Sequence, residues 1–254
     1  VLYHAVELPQ ELDNAYLVPF ADFHIGSPLF NVKRCKKEID WVANTPNACA
    51  VLLGDIMNTA TRTSKSDIYT EQLNPHEQLR YTIKLLAPIK DKVLAVVEGN
   101  HERRIARDSG INTTELLAEG LGVTYSPAST LLKITIGRNR KNGKRYCYTL
   151  YLTHGTGAGR TAGGKINALR RLREIVLADV YVMGHVHWTA SFTENYFVPD
   201  VRNNKIDEKT LTFVSTGSFL NWGGYAEEKN MYPNRLGAPR ICLYGNTREV
   251  EVRL

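Results

Sequence analysis

The sequence predicts an α/β protein in which two sheets pack together between helices. Three observations predict it. Through the first half of the 254 residues, short apolar runs alternate with amphipathic segments, the pattern of βαβ units and a mostly parallel sheet. The second half is richer in strands. Asp, Asn and His recur where the apolar runs stop, at the carboxyl ends of strands, which is where the loops of such sheets carry function.

Each element has its own warrant. AYLVPFA at 15–21 reads as a strand that ends at Asp22, with Pro19 expected at a bulge or an unpaired position because it has no N–H to donate. Val32, Cys35, Ile39 and Val42 share one face of a helix, and the apolar run ACAVLLGD that follows has the length of a buried strand. After a polar stretch at 58–74 comes a helix carrying Leu79, Ile83 and Leu86, and then the strand KVLAVVEGN. LLKITIG and YCYTLYLTH are joined by RNRKNGKR, whose Asn142-Gly143 is a hairpin-turn signal. A helix with Ile166, Leu169, Ile175 and Val176 on one face precedes the strand DVYVMGH, and TASFTE, TLTFVSTGS, RICLYG and EVEVRL complete the strands. No repeat or low-complexity linker divides the chain, so residues 1–254 are expected to form a single domain, with about 56–75 and 223–240 long enough to be lids over a site.

Composition narrows the function classes. With 43% hydrophobic and 23% charged residues the chain is neither disordered nor fibrous. No apolar run approaches the ~18 residues of a membrane span, so no membrane association is expected. The opening VLYHAVELPQELDN lacks a basic segment followed by an apolar one, so no signal peptide is expected. Cys35, Cys49, Cys147 and Cys242 form no CxxC pair, which argues against a zinc ribbon or redox motif and for reduced thiols in a cytoplasmic protein. The net charge of +6 favours an anionic partner, although any one basic cluster is more often a solvated face.

The chemistry lies in five short motifs: Asp22-Phe-His24, Gly54-Asp55, Gly99-Asn100-His101-Glu102, Thr153-His154-Gly155 and Gly184-His185-Val-His187. Five of the seven histidines sit in them, and reading each as a core or capping histidine would require the same coincidence five times. Along a strand end, residues i and i+2 point the same way, so D-x-H and H-x-H are each expected to present two ligands to one side. Asp22, Asp55, Asn100, His24, His154, His185 and His187 suffice for two metals if one ligand is shared, and Asp55 is the expected bridge, since a carboxylate reaches two ions about 3.5–4 Å apart. Nitrogen and oxygen donors without thiolate favour manganese, iron, zinc, cobalt or nickel over calcium or a solely magnesium site, and manganese is the expected metal.

In this order of motifs the sequence resembles the calcineurin-like metallophosphoesterase superfamily, and the resemblance spans Asp22 to His187, about two thirds of the chain. It implies a four-layer α/β/β/α sandwich of two mixed sheets. It implies a first metal at Asp22, His24, Asp55 and His187 and a second at Asp55, Asn100, His154 and His185. It also implies that His101 protonates the leaving group or stabilises the phosphate, with Glu102 orienting that histidine or the nearby loop. One departure is Asn58 in GDIMN, where many phosphatase members carry Asp; the other is the long segment from Asp55 to Asn100, whose polar part offers Arg62, Lys65 and Tyr69.

The expected activity is hydrolysis of phosphodiesters, of DNA, RNA or nucleotides, by a hydroxide bridging two divalent metals. Arg103, Arg104, Arg160 and Lys165 are the candidate substrate-binding residues, with one of the two adjacent arginines expected to face the cleft. Gly159 to Lys165 fits G-x-x-x-x-G-K, but Ile166 stands where a P-loop needs Ser or Thr, so a nucleotide-triphosphatase is rejected. The rivals are a phosphomonoesterase acting on a phosphoprotein or small metabolite, and a non-catalytic binding or scaffold protein on the same fold.

Overall fold

The computed structural model describes residues 1–62, 64, 68–157 and 159–254. The chain runs β1 (Leu2–Glu7), β2 (Asn14–Phe20), α1 (Val32–Asn44), β3 (Ala48–Leu53), α2 (Pro75–Leu86), β4 (Val93–Val97), α3 (Asn100–Ser109), α4 (Thr113–Leu121), β5 (Tyr125–Ser126), β6 (Ser129–Ile136) and β7 (Tyr146–Thr153). It continues through α5 (Ala162–Arg170), β8 (Val180–Met183), β9 (Ala190–Asp200), β10 (Lys205–Ser215), α6 (Tyr225–Glu228), β11 (Arg240–Tyr244) and β12 (Val250–Arg253).

The strands form two mixed six-stranded sheets, ordered β12-β11-β2-β3-β4-β5 and β1-β6-β7-β8-β10-β9. In the first sheet β2, β3, β4 and β5 are parallel and β11 and β12 antiparallel. Leu17, Val51 and Val97 of the first sheet and Leu132, Leu150 and Val182 of the second belong to one buried apolar layer between the sheets. Fully burying each such side chain stabilises the fold by about 1.5–3 kcal/mol. The outer face of the first sheet, with Val18, Leu52 and Val96, packs on Ile39, Leu86 and Leu117 of α1, α2 and α4, while Tyr181 and Phe213 of the second sheet pack on Leu169 of α5. The layers are therefore helix, sheet, sheet, helix. Among the described residues no helix is long and apolar enough to cross a membrane, and the four cysteines are free thiols.

Several expectations are corrected by packing. β1, α4 and β5 were not legible as elements: β1 is an edge strand lying parallel on β6, and α4 is a short helix capped by Asn112 and ended by Gly122 at φ 71°. The helix expected to reach Val176 stops at Arg170 and continues as a 3-10 turn, leaving Ile175 58% exposed. Pro19 does sit at an unpaired position. Tyr16 donates to Asn47 on the β3 side, so the nitrogen of Pro19 points toward β11, whose pairing with β2 stops at Leu17.

Candidate metal centre

The five motifs meet at the carboxyl ends of β2, β3, β4, β7 and β8. Beyond the last strand residues the main chain stays stitched: Asp22 N–H donates to the Gly54 carbonyl at 3.1 Å and His24 N–H to the Asp55 carbonyl at 3.0 Å. Asp22, His24, Asp55, His185 and His187 all have left-handed backbone, with φ of 55°, 51°, 51°, 68° and 50°. That conformation is costly for residues with a side chain and persists only when the surroundings impose it, as they do at functional sites.

Two clusters result, and they separate His187 from His185. His187 Nε2 lies 3.1 Å from Asp22 Oδ1 and 3.2 Å from His24 Nε2. His185 Nδ1 lies 3.2 Å from His154 Nε2, which in turn is 3.3 Å from Asp55 Oδ2 and 3.1 Å from Asn100 Oδ1. The two histidines of G-H-x-H thus go to different clusters, because they lie past the end of β8 in left-handed backbone, where strand alternation no longer applies. Asp22 and His24 stay in the same cluster. Asp55 belongs to a group with His24 and His101 and to another with His154 and His185, the position expected of a shared carboxylate.

The donor set fits divalent metal. Asp22 Oδ1 is fully buried and faces the ring nitrogens of His187 and His24, 3.1 and 3.9 Å away, so a carboxylate oxygen and two imidazole nitrogens converge on one point, as donors to a divalent ion do. The Asp55 and Asp22 carboxyls are both held below the usual carboxylate range: burial pushes them up, but neighbouring imidazoles, His154 for Asp55 and His187 for Asp22, outweigh it. Burial opposes charge on His154, and the Asp55 carboxylate more than reverses this, pushing its pKa up to about 9. His154 Nδ1–H donates to the Leu53 carbonyl at 2.7 Å, which directs Nε2 into the site.

Asn58, noted in the sequence only as a departure, holds two histidines. His24 Nδ1–H donates to its side-chain oxygen at 3.1 Å, and His101 Nδ1–H donates to its main-chain carbonyl at 3.0 Å. Its amide nitrogen donates to Glu71, which also accepts from Gln78 at 2.8 Å. The first residues of the 56–75 segment, Ile56, Met57, Asn58 and Thr59, are buried and scaffold the site. Tyr69 is 90% exposed, and Lys65 lies outside the described residues. Glu102 accepts from the N–H groups of Asp55 and Met57 at 3.0 and 2.9 Å, so it orients the loop after β3. Burial and the Asp55 charge push its pKa up to about 7.

His101 sits against the shared carboxylate, its N–H donating to Asp55 Oδ1 at 2.8 Å and its Nε2 lying 3.6 Å from Asp55 Oδ2. Burial pulls its pKa down to about 4. Of the adjacent arginines, Arg103 is tied to Glu98 at 3.0 Å and to the Pro127 carbonyl at 2.8 Å. Arg104 is the one that shares surroundings with Asp55, Glu102 and Glu71, whose charges oppose the effect of burial on it. Arg160 is exposed, and Lys165 is half-buried.

No protein-family model and no curated protein matches the sequence. Among solved structures the chain is similar to the calcineurin-like phosphoesterase YfkN from Bacillus subtilis, with a TM-score of 0.47 and 12% identity over 94% of this chain and 90% of that one. It is also similar to a Vps29 double mutant from Entamoeba histolytica, with a TM-score of 0.44 and 15% identity over 93% and 89%. A third likeness is to the NAD nucleotidase NadN from Haemophilus influenzae, with a TM-score of 0.44 and 9% identity over 95% and 49%. At these scores and identities the likenesses carry nothing further about this chain, and what the neighbours act on belongs to them alone.

Proposed function

We propose that the chain is a phosphoesterase that hydrolyses phosphodiester bonds of nucleic acid or nucleotides with two divalent metals, manganese first among the candidates. Asp22, His24, Asp55 and His187 would hold one ion and Asp55, Asn100, His154 and His185 the other. The observation that carries the reading is the pair of imidazole–carboxylate clusters meeting at Asp55, with His101 against that same carboxylate. When bound, the metals would supply Lewis acidity toward the phosphoryl oxygens and an activated water.

The chain's own residues do the rest. Asn58 commits Nδ1 of His24 and of His101, so each turns Nε2 inward. His101 Nε2 then faces the leaving oxygen and delivers its proton. Because burial disfavours the imidazolium, that proton is loaded together with the substrate, whose negative charge favours it. Arg104 adds positive charge on the same side, against the phosphate.

The test compares bis-p-nitrophenyl phosphate with p-nitrophenyl phosphate in manganese. Faster turnover of the diester is expected; saturable turnover of the monoester alone would replace the reading with a phosphomonoesterase, and metal binding without either activity would favour a scaffold. His101→Asn should keep both metals and lower turnover by about 10²–10⁴-fold, less on a p-nitrophenyl ester than on an alkyl diester, since a good leaving group needs little protonation. Loss of metal would instead make His101 a ligand.

A further inference from the structure

Lys165 is a half-buried cation with no ion-pair partner among the described residues. Burial alone moves its pKa, downward. What holds it is aromatic. Its Nζ lies 5.7 Å from the ring centroid of Trp188 and 5.3 Å from that of Tyr232. The three come from separate parts of the chain: α5, the residue after His187, and the segment after α6. The Tyr232 hydroxyl donates to the Arg160 carbonyl at 3.3 Å, which ties that segment to the glycine-rich turn before α5.

Position makes the trio more than packing. Trp188 directly follows His187, so its Cα lies about 3.8 Å from that of a proposed metal ligand. Neither ring belongs to the apolar clusters beneath the sheets, and Tyr232 is 49% exposed. Aromatic rings beside a cation, one of them next in the chain to a proposed metal ligand, match the two parts of a nucleotide: a flat base that stacks on any ring and a phosphate that pairs with an ammonium.

We propose that Trp188, Tyr232 and Lys165 form a subsite for the nucleotide flanking the scissile bond, in which a ring stacks an unpaired base and Lys165 takes the neighbouring phosphate. The inference rests on the phosphodiesterase reading and narrows it to single-stranded, base-bearing substrates. A paired base is covered on both faces and would first have to be flipped out.

The test separates binding from turnover. The metal-free chain is titrated with 5′-phosphorylated thymidine dinucleotide, with its counterpart lacking bases, and with single-stranded and duplex oligonucleotides, read by tryptophan fluorescence and calorimetry. The base-bearing dinucleotide and the single strand should bind more tightly. Trp188→Leu should lower that preference for bases by about 5–150-fold, the worth of one stacked base, and Trp188→Tyr should restore most of it. Lys165→Gln should reduce the slope of log affinity against log salt by about 0.7, one phosphate contact on a single strand. Equal affinity for base-bearing and baseless chains, or for duplex and single strand, would overturn the subsite even if diesters are hydrolysed. Base-dependent binding without hydrolysis of any diester in manganese would keep the subsite and remove the phosphodiesterase reading.

Discussion

Asn58→Ala isolates one histidine from its neighbour. Asn58 is 7% exposed, and its side chain makes two contacts, with His24 and with Glu71. Leaving a buried polar group unpaired costs about 1–3 kcal/mol. Glu71 keeps Gln78 as a donor and is only half-buried, so most of the cost falls on His24. The metal-free chain should lose about 1–3 kcal/mol against urea, and the ion proposed for Asp22, His24 and His187 should bind about 10–100-fold more weakly, the usual effect of removing a group that orients a ligand. His101 keeps its anchor, because it uses the main-chain carbonyl. Asn58→Asp is the counterpart. It still accepts from His24, so metal affinity should recover, but it sets a carboxylate against Glu71 and should destabilise the metal-free chain near pH 7. That penalty should ease as pH falls, since burial raises the Glu71 pKa and protonation removes the repulsion. Competition against a chromophoric chelator resolves the two ions, and urea unfolding in EDTA gives the stability. Binding of both ions within about threefold of wild type in Asn58→Ala would refute an orienting role for Asn58.

Asp55→Asn should weaken both ions while His24→Ala mainly weakens one; comparable loss in both variants, by elemental analysis, would remove Asp55 as the shared ligand. Metal uptake near pH 7 should release at least one proton, because the His154 pKa of about 9 leaves it protonated before binding and a ligand imidazole must be neutral. Affinity should therefore rise with pH through that value, and calorimetry in buffers of different ionisation enthalpy would contradict this if it found no proton release. Gly99→Ala would place a Cβ 2.1 Å from the Asp55 nitrogen and 2.2 Å from Asp55 Oδ1. It should cost about 1–3 kcal/mol as overpacking and loosen both ions, and a variant with unaltered melting temperature and metal content would show that Asp55 has room to shift.

The sequence alone determined the classes of element and the chemistry. Helical periodicity marked α1 and α2, which bury one face, and apolar runs of strand length marked β2, β3, β4, β6, β7 and β8, which lie largely buried within the two sheets. The candidate ligands were legible because Asp, Asn and His at strand ends need no distant partner to be noticed. Tertiary structure decided which of them meet. Strand alternation alone would send His185 and His187 to one side; in left-handed backbone past β8 they join different groups, the split that the resemblance implied. Asn58 acquired its role only when the turn after β3 brought it against His24 and His101, 34 and 43 residues away in the chain. Which of Arg103 and Arg104 faces Asp55 depended on Glu98 capturing the first. Lys165, Trp188 and Tyr232 share no periodicity at all; they meet because packing brings α5 and the segment after α6 to the residue that follows His187. Local pattern encodes which face of an element is buried, whereas the partner across a site is set by long-range packing that no short window of sequence contains.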